Sequence, residues 1–128
     1  MRIPLSERPL AIIIEDDPKQ ATIFTGALTM AGYEIRNFAD GREAVKYLHN
    51  TLPPALVLLD LHLPEVAGDK VLHYLRLEPR FAETIVIIAT ADSSMAASLE
   101  DNADYILQKP ISFTQLRDLA ERLRGAPK

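Results

Sequence analysis

Apolar residues recur along this chain in two alternating rhythms. Leu10–Ile14 is an unbroken apolar run that stops at Glu15-Asp16-Asp17. A short β-branched run without polar alternation predicts a strand buried on both faces. Pro18 then fits the first position of a helix with Asp17 as its N-cap. Ile23, Phe24, Ala27, Leu28 and Ala31 follow at helical spacing until Gly32 closes the segment. Tyr33–Phe38 reads as a second strand, and Asp40-Gly-Arg-Glu43 as a capping box for a helix carrying Ala44, Val45 and Leu48. Pro53-Pro54 precedes another buried strand, Ala55–Leu59, which ends at Asp60. Val71, Leu72 and Leu75 share one face of a helix near Asp69–Leu77, stopped by Glu78-Pro79. Thr84–Ala89 is a third buried strand running to Thr90, and a short Ser/Ala-rich helix follows near Ser93–Glu100. Asp104–Gln108 is the last strand. Ser112-Phe-Thr-Gln115 caps a final helix with Leu116, Leu119, Ala120 and Leu123 inward.

Five strand–helix units in succession predict an α/β fold with parallel strands joined by right-handed crossovers. Helices must cover both faces of the sheet, which explains why the first, third and fourth strands lack polar alternation. Residues 1–9, with Pro4 and Pro9, read as an N-terminal arm, 10–124 as one folded domain and 125–128 as a C-terminal tail. The 128 residues fit a single domain. A net charge of −4 argues against direct nucleic-acid contact, which normally needs a basic excess. The absence of cysteine excludes disulfides, thiolate metal sites and cysteine nucleophiles. No apolar run approaches the roughly 20 residues that span a bilayer, and the prolines of MRIPLSERP break any signal-peptide core. A soluble protein of the cytoplasm, without membrane contact, is the expectation.

In an open parallel sheet, functional residues collect beyond the carboxyl ends of the strands. Those ends carry Glu15, Asp16 and Asp17 after the first strand, Asp60 after the third, Thr90 after the fourth and Lys109 after the fifth. Asp17 is accounted for as a helix cap. Single acids at strand ends are ordinary turn residues, but several on one edge repel each other and call for a cation. Carboxylates without cysteine or a well-placed histidine suit Mg²⁺ or Mn²⁺ rather than zinc. Such an ion, with positions left for water and phosphate oxygens, suits phosphoryl chemistry.

These segments resemble the response-regulator receiver domain of two-component signalling, the CheY-like fold, over about residues 9–124. The resemblance rests on IIIEDDP at 12–18, LVLLDLHLPEVAG at 56–68, VIIATA at 86–91 and ILQKP at 106–110. Asp16 to Asp60 spans 44 residues and Asp60 to Thr90 spans 30, both ordinary for that family. It implies a flavodoxin-like, doubly wound sheet in the order 2-1-3-4-5 with five flanking helices. It further implies that Asp60 is the phosphoacceptor, taking a phosphoryl group from a sensor histidine kinase or phosphotransfer protein. Glu15, Asp16, Asp60 and the His62 backbone carbonyl would hold Mg²⁺ (or Mn²⁺), Thr90 and Lys109 would contact phosphoryl oxygens, and Lys109-Pro110 would be cis. Gly68 matches the family's glycine after the acceptor loop, where the backbone is tight. The domain would then be no enzyme beyond its own phosphorylation and dephosphorylation.

Three departures stand out. The family's switch aromatic falls at Ile106, and Tyr105 is one residue off, so it points to the opposite face of its strand. Thr90 to Lys109 is 19 residues, fewer than is usual in the family. The fourth helix is therefore expected to be shortened, and signalling to leave by a different surface. His62 and Asp92 occupy positions that often tune phosphoryl lifetime in the family. Candidate surfaces for a downstream protein target or a homodimer are the face around Leu99–Tyr105 and the first and fifth helices. Three rival readings compete with this one. A flavin-binding flavodoxin-like protein would need a phosphate-cradling loop where three acids stand. A hydrolase of the haloacid-dehalogenase type needs an Asp where His62 stands. The third is a receiver-like binding or adaptor module that works without phosphorylation, which the missing aromatic favours and the full set of acids, Thr90 and Lys109 opposes.

Overall fold

The computed structural model describes residues 7–124. Most of the expected arm at 1–9, and the tail at 125–128, lie outside the described residues. The chain alternates β1 (Leu10–Ile14), α1 (Pro18–Met30), β2 (Glu34–Phe38), α2 (Gly41–His49), β3 (Leu56–Asp60) and α3 (Gly68–Leu77). A short 3-10 turn at Pro79–Phe81 leads to β4 (Ile85–Thr90), α4 (Ser93–Leu99), β5 (Tyr105–Gln108) and α5 (Phe113–Leu123). The five strands form one sheet in the order β2-β1-β3-β4-β5 with every pair parallel. The expected architecture is therefore present, with β3 and β4 displaced by one residue, so that Asp60 and Thr90 close their strands instead of following them.

Strand alternation splits the core into two layers. Ala11, Ile13, Leu56, Leu58, Ile85 and Ile87 pack with Phe24, Leu28 and Leu116 beneath α1 and α5. Ile12, Ile14, Val57, Leu59, Val86 and Ile88 pack with Ala44, Leu48, Val71 and Leu72 beneath α2 and α3. Every residue of β3 and β4 is buried, whereas the edge strands β2 and β5 are half open. Ile23 departs from the expected inward stripe of α1 and stands 42% exposed, because Phe24, Ala27 and Leu28 already fill the contact with the sheet.

Side-chain caps set the helix starts. Asp17, Asp40, Asp92 and Ser112 each accept a hydrogen bond from a first-turn backbone N–H, at 2.8–3.0 Å. α4 has seven residues, the short fourth helix expected, and only Ala96 of it is buried. At the opposite end of the sheet Arg76 locks α3 to the starts of β4 and β5. Its guanidinium donates to the Asn102 carbonyl at 2.6 Å and to Asp104 Oδ2 at 2.9 Å, and Asp104 Oδ2 also accepts from the Val86 N–H. Arg80 donates to the Leu48 and Thr51 carbonyls and lies over the Phe81 ring.

Candidate functional site

Alternation along three strands decides which side chains meet at the carboxyl edge. Ile13, Leu58 and Leu107 all face the α1/α5 layer. Glu15, Asp60 and Lys109 each stand two residues later, so the same parity carries them to one side of the edge. Lys109 Nζ donates to Glu15 Oε1 at 2.7 Å and lies 3.8 Å from Asp60 Oδ1. Glu15 and Asp60 are buried, and Asp16 is exposed at the rim. Ligand atoms of Glu15, Asp16 and Asp60 lie within 4.8 Å of one another. Asp17 stays outside the cluster, capping α1 through Lys19, while its N–H donates to Glu15 Oε2 at 3.2 Å.

The cluster thus has part of its counter-charge built in, through the Lys109 expected at this edge. Burial pushes the Glu15 carboxyl above its ordinary range, opposed by the hydrogen bonds from Lys109 and the Asp17 N–H. A single ammonium does not balance three carboxylates. The remaining negative charge, all on hard oxygens, fits a divalent ion of the Mg²⁺ or Mn²⁺ kind.

The wall of the site is shaped by backbone. Gly68 opens α3 without a side-chain cap, and its N–H donates to the Leu61 carbonyl at 3.0 Å. A Cβ there would run into the Asp60 carbonyl oxygen and come within 2.5 Å of the Leu61 Cα. The expected tight backbone is therefore a steric requirement set by Asp60 itself. Lys109 is held by its N–H to the Thr90 carbonyl at 2.9 Å, and the Lys109-Pro110 bond is cis.

Thr90 is buried, and its Oγ1 accepts from the Asp92 N–H at 3.0 Å. Asp92 Oδ1 accepts from the Met95 N–H at 2.9 Å, and Oδ2 meets His62 Nε2 at 3.3 Å. The Met95 bond, helped by His62, holds the Asp92 carboxyl below the usual carboxylate range. The His62 N–H in turn donates to Asp60 Oδ1 at 3.3 Å. The His62 ring accordingly meets Asp92 at the start of α4. Sequence reasoning singled out His62 and Asp92 but missed their pairing and the capping role of Asp92. An Asp directly before a Ser/Ala-rich run was the available signal for the cap. Ile106 packs into the α2/α3 layer, and Tyr105 is 40% exposed, as their opposite parity requires.

Comparison with known proteins follows the same lines. The family model of the response regulator receiver domain matches residues 11–121. The DNA-binding dual master transcriptional regulator RpaA of Synechocystis is 33% identical over 111 residues, covering 84% of this chain and 46% of that protein. The transcriptional regulatory protein TcrA of Mycobacterium tuberculosis is 33% identical over 116 residues, covering 87% of this chain and 46% of that protein. The chain thus spans about half the length of these relatives. Among solved structures, the signal receiver domain of a signal transduction histidine kinase from Syntrophus aciditrophicus superimposes with a TM-score of 0.80 at 32% identity. That match covers 90% of this chain and 89% of the other. The sheet order, the carboxyl-edge cluster and the family match agree: this chain belongs to the response regulator receiver domains of two-component systems.

Proposed function

We propose that residues 10–124 form a receiver that takes a phosphoryl group onto Asp60 from a phosphohistidine of a sensor histidine kinase or phosphotransfer protein. The observation that carries this reading is Lys109 Nζ set between Glu15 and Asp60, beside three carboxylates within 4.8 Å. An Asp60 carboxylate oxygen attacks phosphorus, the P–N bond to the donor imidazole breaks, and the imidazole leaves as the neutral base after taking up a proton. Lys109 and the Thr90 hydroxyl stabilise the oxygens of the transferring group by charge and by hydrogen bonding. Glu15, Asp16, Asp60 and the His62 carbonyl would hold Mg²⁺ or Mn²⁺, which neutralises charge on the phosphoryl oxygens when bound. Water later cleaves the O–P bond, returning Asp60 and inorganic phosphate. The modified domain passes its state to a downstream protein by contact in the cytoplasm, without touching nucleic acid itself.

The test is incubation of the chain with Mg²⁺ and a small phosphodonor, followed by intact mass measurement. A gain of one PO₃ group that disappears with EDTA and in Asp60→Asn is the expected result. An unmodified wild-type protein would favour the phosphorylation-independent adaptor. A gain undiminished in Asp60→Asn would remove Asp60 from the reaction.

A further inference from the structure

The loop between β3 and α3 starts and finishes at one place. The Gly68 N–H donates to the Leu61 carbonyl at 3.0 Å, which closes residues 61–68 beside Asp60. His62 lies just inside that closure, and its N–H donates to Asp60 Oδ1. Its carbonyl, the group that would join the three carboxylates around a divalent ion, is therefore placed from two directions. One is the closure at Leu61 and Gly68, and the other is whatever holds the tip of the loop.

The tip rests on α2. Val66 lies over Gly41, the first residue of that helix, so closely that a Cβ on Gly41 would run into the Val66 carbonyl oxygen and stand 3.0 Å from the Val66 Cβ. Glu65 has a left-handed backbone, φ 68°, which is unfavourable for a residue with a side chain. Its carboxylate meets Arg42 Nη2 at 3.1 Å. An exposed pair of this kind adds little to stability in general, but here it holds a turn that the backbone alone disfavours. The surface beneath is firm. Asp40 caps α2 by accepting from the Glu43 N–H at 2.8 Å, and Ala44 and Leu48 are fully buried. Leu63 and Val66 are partly buried against the same layer.

We propose that Gly41 and Arg42, at the start of α2, are positioning residues that fix the His62 carbonyl and so set a preference for Mg²⁺ over the larger Ca²⁺. The inference rests on that carbonyl and the three carboxylates being the metal site. Mg²⁺ demands near-ideal octahedral geometry at about 2.0–2.1 Å, whereas Ca²⁺ accepts irregular geometry at longer distances. A carbonyl held at one distance from Asp60 serves the smaller ion, and one free to retreat serves the larger. Gly41 lets the tip lie down on α2, and Arg42 keeps Glu65 in its turn. Neither is a ligand. Both act through the loop, and neither contact involves the Asp60 side chain or Lys109.

The test is a pair of NMR titrations of the full chain, one with Mg²⁺ and one with Ca²⁺, and the readout is the ratio of the two affinities. A change of charge near the site, or a general loss of stability, acts on both divalent ions alike and cancels in that ratio. Wild type is expected to prefer Mg²⁺. Gly41→Ala is expected to weaken Mg²⁺ binding several-fold while changing Ca²⁺ binding little. Arg42→Gln and Glu65→Gln are each expected to lower the ratio by a smaller factor. The double variant should fall no further than either alone, because each removes the same contact. Lys46→Gln, one turn further along α2 and exposed, is expected to keep the wild-type ratio. An unchanged ratio in Gly41→Ala overturns the positioning role, and if that variant does not fold, an unchanged ratio in Arg42→Gln does so. Additive losses in the double variant, or a fall in Lys46→Gln equal to that in Arg42→Gln, overturn it too. A wild type that binds both ions equally removes the proposal and leaves the metal site standing. A wild type that binds neither overturns the metal-site reading first and the positioning role with it.

Discussion

Gly68 shows how a single hydrogen in place of a methyl group can determine where an acid sits. The first turn of α3 approaches the end of β3 so closely that the Asp60 carbonyl oxygen occupies the space a side chain would take. The obstacle is backbone on both sides, so no rotamer change relieves it. Gly68→Ala is expected to destabilise the fold by about 3 kcal/mol, the upper range for overpacking a well-filled site. It should also weaken Mg²⁺ binding, because relaxation must displace Asp60 or Leu61. Urea denaturation and a metal titration check the two effects. A variant with wild-type stability and wild-type metal affinity would mean that α3 can retreat without moving the acid. Lys109 makes the complementary point about charge: at 2.7 Å from Glu15 it lets one buried carboxylate remain at the edge, and at 3.8 Å it reaches the second.

Elements were legible in the sequence to the extent that their burial leaves a one-dimensional trace. The central strands β1, β3 and β4 are covered on both faces, and a run such as Ile85–Ala89 has no other simple explanation. The carboxyl-edge acids, Thr90 and Lys109 were legible because parallel strands deliver their ends to one place. Contacts between distant segments left no such trace. Arg76 and Asp104 are 28 residues apart, and neither is marked by its neighbours as half of a clamp. Thr90, Asp92 and His62 meet through loop conformations that alternation does not describe. Tyr33 belongs with these contacts: its hydroxyl donates to the Ala120 carbonyl at 2.9 Å, tying the approach to β2 onto α5. Burial pushes this phenol from 10.0 up to about 12. Between those values the unfolded chain gives up the proton and the native one keeps it, so the stabilisation present below pH 10 declines as pH rises toward 12. Tyr33→Phe should cost about 1 kcal/mol at pH 7 for the lost hydrogen bond. The wild type should then lose roughly 1.4 kcal/mol per pH unit relative to the variant above pH 10. Urea unfolding of both proteins at pH 7 and 11 tests this. Parallel pH dependences would mean that the phenol ionises alike in both states.

Across the molecule, a net charge of −4 is distributed so that three acids gather at one end of the sheet around a single lysine. Holding them together costs stability that a divalent ion should return. At a Mg²⁺ concentration 100 times its dissociation constant, native-state binding contributes about 2.7 kcal/mol. For a domain of this size that corresponds to a rise in Tm on the order of 10 °C. Protons compete for the same oxygens, and Glu15 enters that competition early because burial raises its carboxyl above the ordinary 4.5. The sign follows from linkage. A carboxyl with a raised native value contributes stability below 4.5, and the contribution fades as pH climbs through the native value. Lowering the pH from neutral toward 4.5 should therefore favour the metal-free fold through this group while the Mg²⁺-induced rise in Tm shrinks. Glu15→Gln keeps an acceptor for Lys109 but removes the charge, so its metal-free Tm at pH 7 should exceed that of wild type. Its Mg²⁺-induced rise should be smaller than that of wild type and should vary less with pH. Thermal melts of both proteins at pH 5, 6 and 7, with and without Mg²⁺, test the argument. If the Mg²⁺-induced rise in Glu15→Gln matches wild type at every pH, Glu15 takes no part in holding the ion and the negative charge at this edge is balanced by Lys109 and solvent alone.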